Sequence, residues 1–479
     1  MTHPSHRTNP SFPLVDSHTN FTWLLAATVM GAYLLIVVGA TTAITDAAAA
    51  CGGWPACGGE WLAISDTQIA IAWGHRVIAL IVGMLVLATT ALAVLGDAST
   101  RVRAALGLGL VLYAVQVGIG AIAATAELSG LLANVHLLVA MLVFGTLILA
   151  LAWTLETETA GLDEEPEPTG PEEDADPVED VPTPTVPDSL FGRAKLMAFA
   201  YFRLMKPRLM WLLCLVASAG MALAAGPDLT IRTIVLTLSG GVLAIGASGT
   251  YNHVLERDVD KKMARTSDRP VATHLVPARN ALAFGGLLTV ASLAVFLQVN
   301  LLAAALGLVA IMFYSVIYTL VLKPNTVQNT VIGGAAGALP AMIGWVAVTG
   351  RIGLPGLALA GVIFLWTPAH FYNLALAYKD DYARGGFPMM PVVRGEAVTR
   401  KHILLYLAAT LLGASALSAI SGLGVLYAVT SVALGGVFLW AVIRLHWERT
   451  EQAAFRAFHA SNAYLGALLV AIVVDTLVL

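Results

Sequence analysis

Apolar runs of membrane-spanning length recur along most of the 479 residues. A helix needs about 20 apolar residues to cross the hydrocarbon core of a bilayer. The sequence contains thirteen such runs, which fall into a group of four and a group of nine. They lie near residues 22–45, 69–95, 104–126 and 131–155, then near 209–225, 231–251, 280–297, 300–321, 327–348, 355–375, 402–421, 423–443 and 460–479. Only 12% of the residues are charged, against roughly a quarter in soluble proteins. The sequence therefore predicts an all-α polytopic membrane protein, a four-helix bundle followed by a nine-helix bundle.

A polar stretch separates the two groups. Residues 156–188 contain 13 Asp or Glu residues, no Lys or Arg, and several prolines. Such a segment cannot bury enough apolar surface to offset the entropy of ordering, so we predict a disordered linker. The rest of the chain carries 26 basic and 17 acidic residues, a formal charge of +9. We predict three units: residues 1–155, a linker over 156–190, and residues 191–479.

Basic residues predict the orientation, because positively charged loops stay in the cytoplasm. In the second group they fall in alternate loops, while the intervening loops offer little beyond Arg232 and Arg351. Those on the predicted inner side include Arg257, Lys261, Lys262, Arg265, Arg269, Lys323, Lys379, Arg384, Arg394, Arg400, Lys401, Arg444 and Arg449. Arg101 and Arg103 place the loop after the second span on the same side. We predict a cell-membrane protein with its large polar loops in the cytoplasm.

The first polar loop, residues 252–270, carries a regular stripe of oxygen ligands. Asn252, Glu256 and Asp260 are spaced four residues apart, so a continuing helix would align them on one face. Carboxylate and amide oxygens suit Mg²⁺, which fills its remaining sites with substrate phosphate and water. Arg265 and Arg269 follow at the same spacing and could hold phosphate oxygens. A solvated loop would explain the arginines but not the stripe at the end of a span.

The second polar loop, residues 379–388, begins with Lys379, Asp380 and Asp381. Two adjacent carboxylates at the end of a span could hold a second Mg²⁺. A helix cap or a solvated turn is the alternative for such a pair taken alone. The position of this loop after a later span favours a site shared with the first loop.

Residues 200–479 resemble the UbiA superfamily of intramembrane prenyltransferases, and within it the branch that farnesylates haem. The matching stretches are Lys206-Pro207-Arg208, residues 252–270, Tyr318-Thr319 through Lys323, Gly333-Gly334, Gly337 to Pro340, Gly344-Trp345, Pro368 to Phe371, Tyr378 to Tyr382, and Pro388 to Gly395. They follow one another in order through the nine-span region. Glu256 departs from the commoner Asp, and Ala377 stands where a further Asp is usual in the superfamily.

The resemblance implies nine helices around a cavity, with an Mg²⁺-bound diphosphate at its cytoplasmic mouth. It assigns Asn252, Glu256 and Asp260 to the first Mg²⁺, and Asp380 and Asp381 to the second, with Asp381 as a metal ligand. It assigns the diphosphate to Lys206, Arg265, Arg269, Lys323 and Lys379. Farnesyl diphosphate would be the donor and a vinyl group of haem B the acceptor, with water completing the product. His370 would lie on the haem side, or be a hydrogen-bonded packing residue.

Two histidines stand out in the first group, His75 and His136, each a few residues inside the outer end of its span. Matched depth is what a bis-histidine haem site requires, although an intramembrane histidine also serves as a packing hydrogen-bonder. Cys51 and Cys57 in the outward loop can form a disulfide. With Gln116-Val117-Gly118, these features resemble half of a haem A synthase. The resemblance implies a haem-binding module that delivers, receives or senses haem.

Three functions remain open at this point. The first is farnesylation of haem B in the assembly pathway of terminal oxidases. The second is prenylation of a quinone ring or a lipid, and the third is haem transport or electron transfer with a degenerate prenyltransferase half. The expected partners are the lipid bilayer, farnesyl diphosphate, haem B and, by resemblance, haem A synthase or oxidase assembly proteins. No nucleic acid is expected.

Overall fold

The computed structural model describes residues 17–45, 47, 51, 53–56, 67–125, 130–160, 170–172, 175–178 and 185–478. Within these ranges, thirteen helices are long and apolar enough to cross a membrane, and no strand occurs. The predicted fold class is confirmed: the protein is an all-α, multi-pass membrane protein. Four of the thirteen helices precede the linker and nine follow it.

The helices of the first group run antiparallel to their neighbours. They are α1 (Ser17–Ile44), α2 (Thr67–Leu95), α3 (Thr100–Thr125) and α4 (Gly130–Thr159). The short connection between α2 and α3 makes them neighbours, and α4 packs on both α1 and α3. This arrangement closes a four-helix bundle.

A short helix, α5 (Leu190–Leu204), leads into the second group. The spans are α6 (Pro207–Ala225), α7 (Ile231–Leu255), α8 (Ala278–Leu297), α9 (Leu301–Met312), α10 (Asn329–Thr349), α11 (Leu354–Ala377), α12 (Glu396–Ser421), α13 (Val425–Glu448) and α14 (Glu451–Leu477). A π-helical segment, Phe313–Leu322, extends α9 toward Lys323. Side chains at the helix starts pair with backbone N–H groups that would otherwise lack a partner. Thr230, Asn300 and Thr450 each accept a hydrogen bond from the N–H three residues later.

The two groups share one continuous apolar core, in which α1 and α4 pack against α12 and α13. The hydroxyl groups of Tyr33 and Ser431 are hydrogen-bonded across this interface at 2.6 Å, both buried. At the loop end, the Arg449 guanidinium donates to the carbonyl of Thr159. The four-helix group is therefore docked on the nine-helix group through polar contacts inside and outside the apolar core.

Described parts of the linker lie against both polar loops. Backbone N–H groups of Gly170 and Glu172 donate to the carbonyls of Val392 and Ala383, at 3.3 and 2.8 Å. The N–H of Val178 donates to Lys261, at 2.9 Å. Linker and polar loops thus lie at the same end of the helices. Disorder over the whole of residues 156–190 stays a prediction.

Helices α6 and α10 approach each other so closely that only glycine fits at Gly344. A Cβ atom built there would lie 2.1 Å from the carbonyl oxygen of Ala217. We expect Gly344→Ala to push the helices apart and to lower the free energy of unfolding by about 1–3 kcal/mol. Thermal unfolding in detergent measures this change. Gly361→Ala in α11, where a Cβ meets nothing within 4 Å, is the matched control; equal effects in both variants would contradict the argument.

Candidate active site

The predicted stripe forms at the end of α7. Asn252 lies in the last turn, Glu256 follows the helix, and Asp260 ends a short helix, Arg257–Asp260. All three side chains are buried, at 2%, 5% and 1% exposure. Buried carboxylates need cationic or metal partners. Asp258, by contrast, points to solvent between Arg257 and Lys261.

Three cations converge on the stripe. Arg269 donates from Nη1 to both carboxylate oxygens of Asp260, at 2.7 and 2.8 Å, and the same nitrogen lies 3.6 Å from Oε2 of Glu256. Lys323 Nζ lies 2.6 Å from Oε1 of Glu256. Lys206 Nζ donates to Oδ1 of Asn252. Two carboxylates and three cations therefore share one buried pocket, with a surplus of one formal positive charge.

The pKa values of Glu256 and Lys206 reflect the close approach of these charges. Burial alone would raise the pKa of Glu256, but Lys323, Lys206 and Arg269 outweigh it and lower the pKa to about 2. Burial, reinforced by nearby Arg269, lowers the pKa of Lys206 to about 7. Lys206 also has a positive φ of 56°, a strained conformation that persists only where the surroundings demand it. The pocket is organised to receive an anion near Lys206.

The π-helical segment supplies residues to which sequence reasoning gave no role. The hydroxyl of Tyr314 accepts a hydrogen bond from Lys206 Nζ at 3.2 Å, and Thr319 Oγ1 accepts one from Asn252 Nδ2 at 3.1 Å. Thr319 in turn donates to the carbonyl of Tyr314, five residues earlier. A π-helix is often found at functional sites, but apolar periodicity gives no signal for it. The resemblance of Tyr318-Thr319 to the UbiA superfamily is the sequence feature that marks this segment.

The two polar loops meet, as predicted. Both oxygens of Asp381 accept hydrogen bonds from the first loop, from the backbone N–H groups of Ala264 and Arg265 at 2.8 and 3.0 Å. The Arg265 guanidinium donates to the hydroxyl of Tyr382 at 3.1 Å. Asp380 is exposed. Asp381 thus joins the two loops, while the carboxylate of Asp380 faces solvent beside the junction.

Two predicted residues lie elsewhere. Lys379 pairs with Glu396 at 3.1 Å, at the start of α12, rather than with the stripe. His370 is stacked between Trp366 and Phe458, with ring centroids 4.2 and 4.3 Å away, and its Nδ1 is 2.6 Å from the hydroxyl of Ser461. These contacts are those of the packing alternative for His370.

The stripe offers an incomplete shell of metal ligands. Within the described part of the chain, no three His, Cys, Asp or Glu side chains come together as a metal site. Asn252, Glu256 and Asp260 supply one amide and two carboxylates, all buried. Mg²⁺ typically uses one or two carboxylates and takes its other ligands from phosphate and water. The donor set therefore fits an Mg²⁺ that arrives with a diphosphate.

An apolar cavity extends from this cluster between α6, α7, α9 and α10. Lys206 and Tyr314 line its polar end. Small residues of α7, among them Gly241, Ala244, Ser248 and Gly249, line its wall. Cations at one end and an apolar interior suit an amphiphile with an anionic head and a hydrocarbon tail.

In the first group, His75 lies on α2 and His136 on α4. Within the described residues, the Nδ1 atoms of both rings and Oε1 of Gln116 are buried without a hydrogen-bond partner. Both rings pack against glycines: a Cβ at Gly39 would lie 3.2 Å from His75, and one at Gly120 would lie 3.1 Å from His136. A buried polar atom without a partner is costly, and packing within the described residues does not account for these three atoms.

Cys51 is buried and disulfide-bonded. Cys57 lies outside the described residues, so the predicted pairing of the two cysteines stays a prediction. Cys214 is a free thiol and lines the apolar cavity.

Comparisons with known proteins agree with this geometry. The model of the UbiA prenyltransferase family matches residues 212–466. Protoheme IX farnesyltransferase 1 of Natronomonas pharaonis is 65% identical, and the match covers 96% of this chain and 99% of that protein. Protoheme IX farnesyltransferase of Haloarcula marismortui is 63% identical over 97% of this chain and 100% of that protein. Both matches therefore include the four-helix group.

A solved structure shares the fold of the nine-helix group. The structure of digeranylgeranylglyceryl phosphate synthase has a TM-score of 0.51 and 15% sequence identity to this chain. The match covers 60% of this chain and 100% of the synthase chain. At this identity the likeness shows the fold alone.

Proposed function

Because the chain belongs to the UbiA prenyltransferase family, we propose that it transfers a farnesyl group from farnesyl diphosphate to a vinyl group of haem B, giving haem O. The single observation that carries the chemistry is the convergence of Lys206, Lys323 and Arg269 on the buried stripe at the mouth of an apolar cavity. The acceptor follows from the relatives, both of which are named for protoheme IX.

The donor is bound by exchange of charge partners. The diphosphate oxygens take the place of Glu256 and Asp260 as partners of Lys323 and Arg269. The carboxylates are then free to bind Mg²⁺, which, when bound, neutralises the diphosphate and stabilises it as a leaving group. Lys206 holds the diphosphate at the cavity mouth, and its burial makes each of its hydrogen bonds stronger than it would be in water.

Prenyl transfer then needs only separation of charge and exclusion of water. The bond between C1 of the farnesyl group and the diphosphate oxygen breaks, and the cations hold the departing anion. The apolar wall of α7 keeps water from the allylic cation. The vinyl group attacks C1, water adds to the resulting cation, and one proton leaves to solvent. The product carries a hydroxyethylfarnesyl substituent.

The second loop completes the mouth. We propose that Asp381 holds the first loop in register through Ala264 and Arg265, and that Asp380 and Asp381 offer oxygens to a second Mg²⁺. Arg265 lies beside Tyr378 and Tyr382, and we propose that it binds the diphosphate from there. The positive-inside pattern supports a mouth that opens to the cytoplasm across a cell membrane.

The proposal is tested by an assay on membranes that contain the protein. The membranes are incubated with farnesyl diphosphate, haem B and Mg²⁺, and the extracted haems are analysed by mass spectrometry. We expect a haem that has gained one farnesyl group and one hydroxyl group. Parallel incubations replace haem B with a quinone precursor or a lipid glycerol phosphate. Prenylation of one of these acceptors, and none of haem, would overturn the choice of acceptor.

We also propose a haem-binding role for the four-helix group, supported by the orphaned ring nitrogens of His75 and His136. Two imidazoles at matched depth are suited to ligate haem iron from both sides. Contact of α1 and α4 with α12 and α13 would keep such a haem beside the transferase unit. Exchange with haem A synthase or oxidase assembly proteins would follow from this role.

The histidine pair gives a spectroscopic prediction. We expect purified protein reconstituted with haem B to show the Soret band of a six-coordinate haem, and His75→Ala/His136→Ala to lose it. His402→Ala, which removes a half-buried histidine of α12, is the control and should leave the band unchanged. A band that survives in the double variant would contradict a bis-histidine site.

A further inference from the structure

One face of α7 runs the length of the apolar cavity and ends in the polar stripe. The lining residues Leu238, Gly241, Ala244 and Ser248 recur every three or four positions, which is the spacing of one helix face. Asn252, in the last turn of the helix, continues this face toward the first polar loop. A prenyl chain whose diphosphate is held at Asn252 must therefore pass these positions in order.

Gly241 differs from the other glycines on this helix. A Cβ at Gly240 would meet the Phe296 ring at 2.9 Å, and one at Gly249 would meet the backbone of Leu204 at 2.8 Å. Those two glycines are explained by packing. A Cβ at Gly241 would meet nothing within 4 Å, although Gly241 lines the cavity. Its missing side chain leaves space in the cavity rather than admitting a neighbouring helix.

The depth of Gly241 corresponds to the third isoprene unit. Gly241 precedes Asn252 by eleven residues, about 16 Å along a helix axis. Three extended isoprene units span roughly 15 Å at ordinary bond lengths, and two span roughly 10 Å. A two-unit chain held at Asn252 would end near Ile245, which also lines the cavity. The third unit would lie beside Gly241.

The interior suits a prenyl chain better than it suits haem. Among the described residues, Lys206 is the one charged residue lining the cavity, and it lies at the mouth. Haem carries two propionate groups that need partners, whereas a prenyl chain is apolar throughout. The cavity between α6, α7, α9 and α10 is therefore assigned to the donor.

We propose that Gly241 is a specificity-determining residue, which admits the third isoprene unit of the donor by leaving its place in the cavity empty. The inference rests on the proposed function and names the residue that sets the donor length. A side chain at this position fills the space of the third unit and leaves the first two units and the diphosphate cluster untouched.

The test compares geranyl and farnesyl diphosphate as donors for haem B, with the wild type, Gly241→Ala, Gly241→Val and Gly241→Leu. We expect Gly241→Leu to lower kcat/KM for farnesyl diphosphate by about 10- to 200-fold, the range for a misfit in a hydrophobic pocket. Geranyl diphosphate should be used within about threefold of the wild type, which also proves that the variant is folded. Alanine and valine should give graded intermediate effects. Gly286→Leu in α8, also with open space at its Cβ and outside the cavity lining, is the control.

The outcomes separate the two claims. Variants that use both donors as the wild type does would overturn the inference, as would an equal loss with both donors across the graded series. If the wild type prenylates no haem with either donor, the proposed function fails. Calorimetric binding of the two diphosphates to the same variants then decides the inference: selective loss of farnesyl diphosphate binding supports it, and unchanged selectivity overturns it.

Discussion

We expect Asp260→Asn to lower kcat/KM for farnesyl diphosphate by about 10²- to 10³-fold, the cost of losing one electrostatic contact to a developing charge. Asp260 is 1% exposed and receives two hydrogen bonds from Arg269. Asparagine keeps the shape but removes the charge that would hold Mg²⁺. The loss should appear in the transfer step and should raise the Mg²⁺ concentration needed for half-maximal activity. Haem product formation at several Mg²⁺ concentrations measures both effects.

Asp258→Asn is the matched control for this variant. Asp258 lies two residues away, is 71% exposed, and pairs with Arg257 and Lys261 at the surface. Surface ion pairs contribute little, so activity should stay within about twofold of the wild type. Full activity in Asp260→Asn, or an equal loss in Asp258→Asn, would refute the assignment of the stripe to the metal.

We expect Arg269→Gln to affect both stability and activity. Arg269 is the partner of two buried carboxylates, Asp260 at 2.7 Å and Glu256 at 3.6 Å. Removing it leaves buried charge uncompensated, which costs about 3–5 kcal/mol of unfolding free energy. Because the same guanidinium is proposed to bind the diphosphate, kcat/KM should also fall by about 10²- to 10³-fold. Thermal unfolding with and without Mg²⁺ and the haem assay measure the two effects.

A double variant separates the two roles of Arg269. In Arg269→Gln/Asp260→Asn one buried charge is removed together with its partner, so much of the lost stability should return while activity stays low. Arg279→Gln, an exposed position at the start of α8, should change neither quantity. If the double variant regains activity along with stability, Arg269 serves the fold and not the diphosphate.

Much of this protein follows from local sequence. The thirteen spans could be predicted because the length of an apolar run is a property of consecutive residues. In lipid, a single segment can pair all its backbone N–H and C=O groups only as a helix. The four-residue spacing of Asn252, Glu256 and Asp260 predicted one continuing helix. The structure instead ends α7 at Leu255 and begins a short helix at Arg257, and all three side chains are still buried. The place of Asp381 beside the first loop was predicted from the position of its loop after a later span and from the resemblance, not from residue spacing.

The tertiary structure alone decided which side chains share a pocket. Lys206 and Lys323 reach the stripe from 46 and 67 residues away, while Lys379, one residue before the acidic pair, turns to Glu396. The resemblance implied the same role for these three lysines, because a sequence shows which residues are charged but not the direction in which a side chain points. The π-helical turn that brings Tyr314 and Thr319 to the stripe carries no periodic signal.

The apolar runs thus determined that the chain crosses a membrane, how many times it does so, and which loops carry the polar residues of the candidate site. They did not determine the cavity. All thirteen runs are similarly apolar, and the space between α6, α7, α9 and α10 depends on which small residues face one another across helices. Gly241 and Gly344 look alike in the sequence, yet one opens a cavity and the other closes a helix contact. Packing between distant segments decides that difference, because van der Waals contact depends on distances that chain neighbours do not fix.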